Sequence, residues 1–135
     1  MGNIFYRIGN FLYKFKIPFV WIFFKFLIRL ICNSAIDPRT TIGKGTKFGY
    51  GGISIVIHRD AVIGKNVMIS PNVVIGGRSN QKPPVILDDV FIGSGASILG
   101  DITIGNNSTI GAGAVVLNDV GDNETWAGVP AKKIK

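Results

Sequence analysis

PPVILDDVFIGSGASILGDITIGNNSTIGAGAVVLNDV, residues 83–120, returns an aliphatic anchor at every sixth position: Ile86, Ile92, Ile98, Ile104, Ile110 and Val116. Four residues after each anchor stand Val90, Ala96, Ile102, Ser108, Ala114 and Val120, mostly small or β-branched. A six-residue unit is too short for a helix and too regular for a sandwich, whose strands alternate with period two between turns of variable length. It reads as a short strand plus a corner, with Gly, Asn and Asp supplying the corner's backbone angles. Three such sides close a triangular coil, so that Ile86 and Ile104, or Ile92 and Ile110, stack about 4.8 Å apart along the axis and bury one another. The fold expected is an all-β solenoid, a parallel β-helix, rather than an antiparallel β protein.

Working outward, the same period runs through Ile57, Ile63, Ile69 and Ile75, and earlier through Ile36, Ile42 and Phe48, which makes thirteen anchors in three blocks. Between the blocks the phase slips. Phe48 to Ile57 holds three residues more than the repeat allows, including Tyr50-Gly51-Gly52-Ile53-Ser54. Ile75 to Ile86 holds five more, including Gly77-Arg78-Ser79-Asn80-Gln81-Lys82-Pro83-Pro84. A solenoid tolerates insertion only where a loop leaves the wall, and both insertions are candidate active-site loops.

The rest of the chain is different material. Residues 3–32 hold seven of the nine phenylalanines, Trp21 and no acidic residue. Residues 1–35 carry Arg7, Lys14, Lys16, Lys25 and Arg29, so most of the net charge of +7 sits there and the remaining residues are nearly balanced. That distribution argues against a nucleic-acid-binding face. The apolar run from Ile17 to Cys32, interrupted by Lys25 and Arg29, is shorter than the roughly 20 residues a spanning helix needs. Pro18 divides the segment into two expected helices. Helical phase puts Arg7, Lys14, Lys25 and Arg29 in one sector, with a broad aromatic face opposite. Two roles stay open and compatible: a basic amphipathic contact with the membrane surface through residues 3–32, or a cap on the prism's open end that packs on its copies. The segment lacks a small-residue cleavage site, and Met1-Gly2 lacks the Ser or Thr expected at position 6 for myristoylation. Three segments are expected: 1–34 helical and amphipathic, 35–120 the β-helix, and 121–135 a tail that completes a cofactor site.

The runs IGKGTKFGYGGISIVIHRDAVIGKN (42–66), ISPNVVIGGRS (69–79), residues 83–116, and DVGDNETWAGVPAKKIK (119–135) resemble the hexapeptide-repeat acetyltransferases. The likeness is to the short serine-acetyltransferase-like members associated with bacterial surface polysaccharides. AGVPAK following an in-phase IGAGAVV is the most specific feature. The resemblance implies left-handed coiling, a homotrimer, an active site between neighbouring prisms, and acetyl-CoA as donor.

O-acetyl transfer needs a base for the acceptor hydroxyl, a donor to the thioester oxyanion, and a slot for the CoA arm. The only histidine, His58, suits the first task and closes YGGISIVIH (50–58), which resembles the YGGxGxVIH pattern of similar short enzymes with Ser54 in place of its third glycine, although a lone histidine is often merely exposed. Asp60 or a backbone carbonyl is expected to set its tautomer. Tyr50 either contacts the acceptor or packs under its loop, and Lys82 is a second acceptor-binding candidate. Gly77, Ser94 and Ala112 match the small residues that flank the pantetheine arm in similar enzymes, although β-helix corners favour small residues anyway. Lys132 and Lys133 are candidates for the CoA phosphates or are simply solvated.

The chain departs from the serine acetyltransferases proper: Gly49-Tyr50 stands where they carry an Asp-His pair, and Pro83 where they carry a second histidine. That departure favours a sugar hydroxyl as acceptor over serine, with serine O-acetyl transfer and a non-catalytic scaffold as alternatives. One histidine per chain cannot make a three-histidine zinc site, and no metal is expected. The single cysteine, Cys32, fits a reducing cytoplasm, with the enzyme at the inner face of the membrane if the helices touch lipid.

Overall fold

All thirteen anchors from Ile36 to Val116 are buried, as are the six residues from Val90 to Val120 that follow the third block. The computed structural model, which describes residues 1–17 and 19–135, is a left-handed parallel β-helix preceded by two helices. Its first wall stacks Ala35–Ile36, Val56–Ile57, Val74–Gly76, Ser97–Leu99 and Val115–Val116. The second stacks Thr41–Ile42, Val62–Ile63, Val85–Ile86 and Thr103–Ile104. The third runs from Lys47–Phe48 through Met68–Ile69, Phe91–Ile92 and Thr109–Ile110 to Thr125–Ala127. Within the first wall Ile57 pairs with Ile75, Ile75 with Ile98, and Ile98 with Val116, so like side chains stack and each buried isoleucine contributes about 1.5–3 kcal/mol.

Register survives both phase slips: Ile36 still pairs with Ile57 and Ile75 with Ile98. The extra residues leave the walls as loops, 49–55 at the third corner (between the third and first walls) and 77–84 at the first corner (between the first and second). The second corner has none, and it shows what the polar residues of the repeat do. Gly45, Asn66, Asp89, Asn107 and Asn123 form a column with φ between 55° and 81°, which Gly, Asn and Asp tolerate best. Beside it, Asp88 Oδ1 accepts from the Lys65 N–H at 2.8 Å, Asn106 Oδ1 from the Asp88 N–H at 3.0 Å, and Asp122 Oδ1 from the Asn106 N–H at 2.7 Å. Side chains thus tie each coil to the next where the strand ladder stops. After Val120 the chain adds Thr125–Ala127 to the third wall, and Lys132–Lys133 returns antiparallel against it.

The two helices are α1 (Gly2–Lys14) and α2 (Val20–Cys32), packed on each other and on the first coil. Pro18 lies outside the described residues. A parallel β-helix ends in unpaired backbone carbonyls, and α1 supplies their donors. Asn3 Nδ2 donates to the Thr46 carbonyl at 2.8 Å and Asn10 Nδ2 to the Pro38 carbonyl at 2.7 Å. Arg7 donates to the carbonyls of Ile42 at 3.2 Å and Gly43 at 2.6 Å, and the Tyr6 hydroxyl donates to that of Thr40. These four side chains lie on one helical face by their spacing. The cap expected from sequence is therefore present, but Arg7 is not part of an exposed basic sector. It turns inward because the carbonyls at the end of the prism need a donor.

A second tie holds α2. Asp37 is buried, and its carboxylate accepts from Arg39 Nε at 2.9 Å and Nη2 at 2.8 Å, while Lys25 of α2 lies 3.2 Å away. The Arg39 guanidinium rests over the Trp21 ring at 4.2 Å. Burial pushes the Asp37 carboxyl up, but the Arg39 side chain, the Arg39 backbone N–H and Lys25 outweigh it and hold the group at about 2.

Candidate functional site

His58 follows the strand Val56–Ile57 directly, at the first corner, where its N–H bonds the Ile75 carbonyl at 2.8 Å and fixes the backbone against the next coil. The side chain is exposed. Nδ1 accepts a hydrogen bond from the Asp60 backbone N–H at 3.1 Å. Asp60 does set the tautomer, but through its amide rather than its carboxylate, which pairs with Arg59 at 3.2 Å. Because Nδ1 is the acceptor, the hydrogen of the neutral ring lies on Nε2.

The other candidates divide between two edges of the prism. Gly77 and Lys82 share the first corner with His58: Gly77 opens the inserted loop, and Lys82 is exposed within it. Tyr50, Ser94 and Ala112 lie at the third corner. Tyr50 sits in the short turn Gly49–Gly51 at φ 47°, with its side chain 85% exposed, so it does not pack under its loop. Ser94 and Ala112 are both exposed on successive coils, and the Ser94 hydroxyl donates to the Pro71 carbonyl at 2.9 Å. Next to Ala112, Gly113 has open space where a side chain would point. This edge is a smooth strip of small residues and backbone, which suits an extended chain lying along it. One protomer does not bring the strip and His58 together, since they occupy different corners.

Lys132 and Lys133 form the last strand, beyond the third wall. Lys133 is engaged: its Nζ lies 3.1 Å from Glu124 Oε1. Glu124 also accepts from the Trp126 indole N–H at 2.8 Å and the Gly121 N–H at 2.8 Å, and these donors, the indole foremost, hold its carboxyl at about 2. Lys132 is exposed and is the freer of the two cations. The sequence pattern gives no role to Asp37 or Glu124, and it puts Lys25 in a basic helical sector rather than on Asp37. Nothing in the six-residue period singles them out, because each works at an end of the prism, where the repeat stops.

A groove of 530 Å³ runs between α2 and the first coil, lined in part by Trp21, Phe26, Ile36, Ile57 and Arg59. It lies beside the His58 corner but includes none of the candidate residues. Among the described residues no cluster of three or more His, Cys, Asp or Glu could hold a metal ion.

Residues 83–118 match the family model described as bacterial transferase hexapeptide (six repeats). A serine acetyltransferase of Bacillus pumilus is 37% identical over 132 residues, which cover 96% of this chain and 60% of that protein. Soybean serine acetyltransferase complexed with serine superposes with a TM-score of 0.89 at 34% identity, covering 98% of this chain and 56% of the other. A serine acetyltransferase in complex with CoA superposes at 0.88 and 34% identity, over 98% and 55% of the respective chains. The chain thus spans little more than half the length of these relatives.

Proposed function

The chain is a serine-acetyltransferase-like hexapeptide-repeat protein, and from that premise we propose that it transfers an acetyl group from acetyl-CoA to a hydroxyl acceptor. The observation that carries this is the match over 98% of the chain to a serine acetyltransferase in complex with CoA. Serine leads as acceptor, because the matched relatives carry that name and one was solved with serine. This reverses the order expected from sequence, where a sugar of a surface polysaccharide came first. The sugar reading keeps one observation in its favour: the free ring of Tyr50, in place of the histidine of an Asp-His pair, suits the apolar face of a pyranose.

His58 handles the proton in this proposal. Its base form needs a lone pair on Nε2, whereas the Asp60 amide holds the ring in the opposite tautomer. The ring is exposed, so once it swings off the Asp60 amide, water can carry the proton from Nε2 to Nδ1 and free the Nε2 lone pair for the acceptor. Nε2 then takes the hydroxyl proton as the oxygen bonds to the thioester carbon. The tetrahedral intermediate collapses with loss of the C–S bond, and the proton passes to the CoA thiolate. Because the small-residue strip lies at another corner, the cofactor on it must meet the His58 of a neighbouring copy, as a homotrimer would arrange. Lys82 borders the acceptor side; Gly77, expected beside the pantetheine arm, goes there too because it shares the His58 corner and not that of Ser94 and Ala112, and Lys132 is left for the CoA phosphates.

The test is thiol release from acetyl-CoA with L-serine or with oligosaccharide acceptors, for the wild type and His58→Ala. The variant should lose about a hundredfold or more of the rate with an unchanged assembly in solution. Equal rates in the two proteins would remove His58 from the chemistry, and no turnover with any hydroxyl acceptor would leave a non-catalytic scaffold.

A further inference from the structure

We propose that the outer face of the helical hairpin docks reversibly on an anionic lipid surface. The hairpin is amphipathic in the inverted sense. The face of α1 bearing Asn3, Tyr6, Arg7 and Asn10 is spent on the carbonyls of the first coil. The buried face of α2, with Ile28 and Cys32, is spent on the same coil. What remains outward is apolar: Phe11 and Phe15 of the first helical stretch, and Phe19, Phe23, Phe26 and Leu30 of the second. All are exposed, Phe26 at 67% and Leu30 at 83%. At about 100° per residue, the α2 stripe lies opposite Ile28 and Cys32, so it looks away from the prism.

Charge decides the occupant. Residues 1–35 contain five basic side chains and no acidic one. Arg7 is committed to carbonyls and Lys25 to Asp37. That leaves Lys14, Lys16 and Arg29, all exposed, with Lys14 and Arg29 about a quarter-turn from the apolar stripes. An apolar strip with a wholly cationic rim complements the interface of a bilayer carrying acidic headgroups, where aromatic rings sit at the headgroup boundary and long cationic side chains reach outward. Two such faces pressed together would bring like charges against each other, with no carboxylate in residues 1–35 to offset them. Neither helix is long and apolar enough to cross a membrane, so contact stays at the surface. This proposal stands apart from the acetyl-transfer reading and can fail without it.

The experiment is flotation of the full chain with vesicles of phosphatidylcholine alone or mixed with phosphatidylglycerol, at two salt concentrations. The wild type should float with the anionic vesicles, release as salt rises, and stay behind with the neutral ones. Replacing Lys14, Lys16 and Arg29 with alanine should lower partitioning roughly a hundredfold. Phe23→Ser with Phe26→Ser should abolish it while the melting curve stays that of the wild type. A wild type that ignores anionic vesicles, or floats equally with neutral ones, overturns the proposal without recourse to any variant. So does a Phe23/Phe26 double variant that still floats but falls apart into smaller species, since the face would then belong to a second copy.

Discussion

The prism and the hairpin treat their apolar residues in opposite ways. In the prism, Ile86, Ile92, Ile98 and their stack mates are sealed inside, and polar residues line the corners. In the hairpin, Asn3, Tyr6, Arg7 and Asn10 turn inward and the phenylalanines turn outward. The difference comes from what each element meets. A coil meets another coil with side chains stacked on like side chains, so hydrophobic burial dominates. α1 meets the severed edge of three parallel sheets, whose carbonyls demand donors, and polar side chains win that surface.

The strongest way to break this contrast is to truncate one large apolar residue in each region. Ile98 is fully buried between Ile75 and Val116, and Ile98→Ala should cost about 2–5 kcal/mol in chemical denaturation. Phe26→Ala, which removes more atoms from an exposed position, should stay within about 0.5 kcal/mol. Comparable losses at both positions would mean that the hairpin's outer face is covered in the free protein, and the comparison would collapse.

Next in size is the cap. Arg7 reaches three carbonyls of the first coil, those of Ile42, Gly43 and Thr46. Arg7→Ala should cost about 1.5–3 kcal/mol, the scale of hydrogen bonds to a charged group. In hydrogen exchange the loss should appear first in the amides of the first coil and α1, with the coils beyond Ile86 unmoved. Uniform loss of protection along the whole prism would show that the cap and the body unfold as one unit, and that the inward polar face does more than close an edge.

How much of this was legible in the sequence follows the same division. The period of six places all thirteen anchors and both loops, because each coil repeats one physical problem and the answer recurs in the residues. His58 stood out as the only histidine beside an inserted loop. Even the separation of candidate residues into two corners is implicit in phase, since His58 follows a first-wall anchor whereas Ser94 and Ala112 follow third-wall anchors. The direction of Arg7 was not legible. A helical wheel shows which residues share a side but not what that side meets, and unpaired backbone carbonyls leave no mark on the sequence. The tautomer of His58 escaped for the same reason, because it depends on a backbone amide two residues away.

The smallest expected effect sharpens the contrast at the two ends of the prism, each of which holds a carboxylate with a lysine and a tryptophan nearby. Asp37 is buried, with Lys25, Arg39 and Trp21 around it; Glu124 is only half-buried, with Lys133, Gly121 and Trp126. Both are held at about 2, below ordinary values of 3.8 and 4.5. A carboxylate depressed by folding stabilises the protein above its unfolded value, and that contribution is lost as pH falls toward the folded value. Melting temperature should therefore drop between pH 5 and about 2, and Asp37→Asn and Glu124→Gln should each flatten part of that slope. Salt separates the two. Screening reaches exposed pairs and spares buried ones, so the Glu124 contribution should shrink in high salt while that of Asp37 persists. Above about pH 5 in high salt, Glu124→Gln should thus be the milder change. If instead salt erased the Asp37 contribution as well, the tie between α2 and the first coil would be as open to water as the far end, and the hairpin would be a looser attachment than its inward polar face implies.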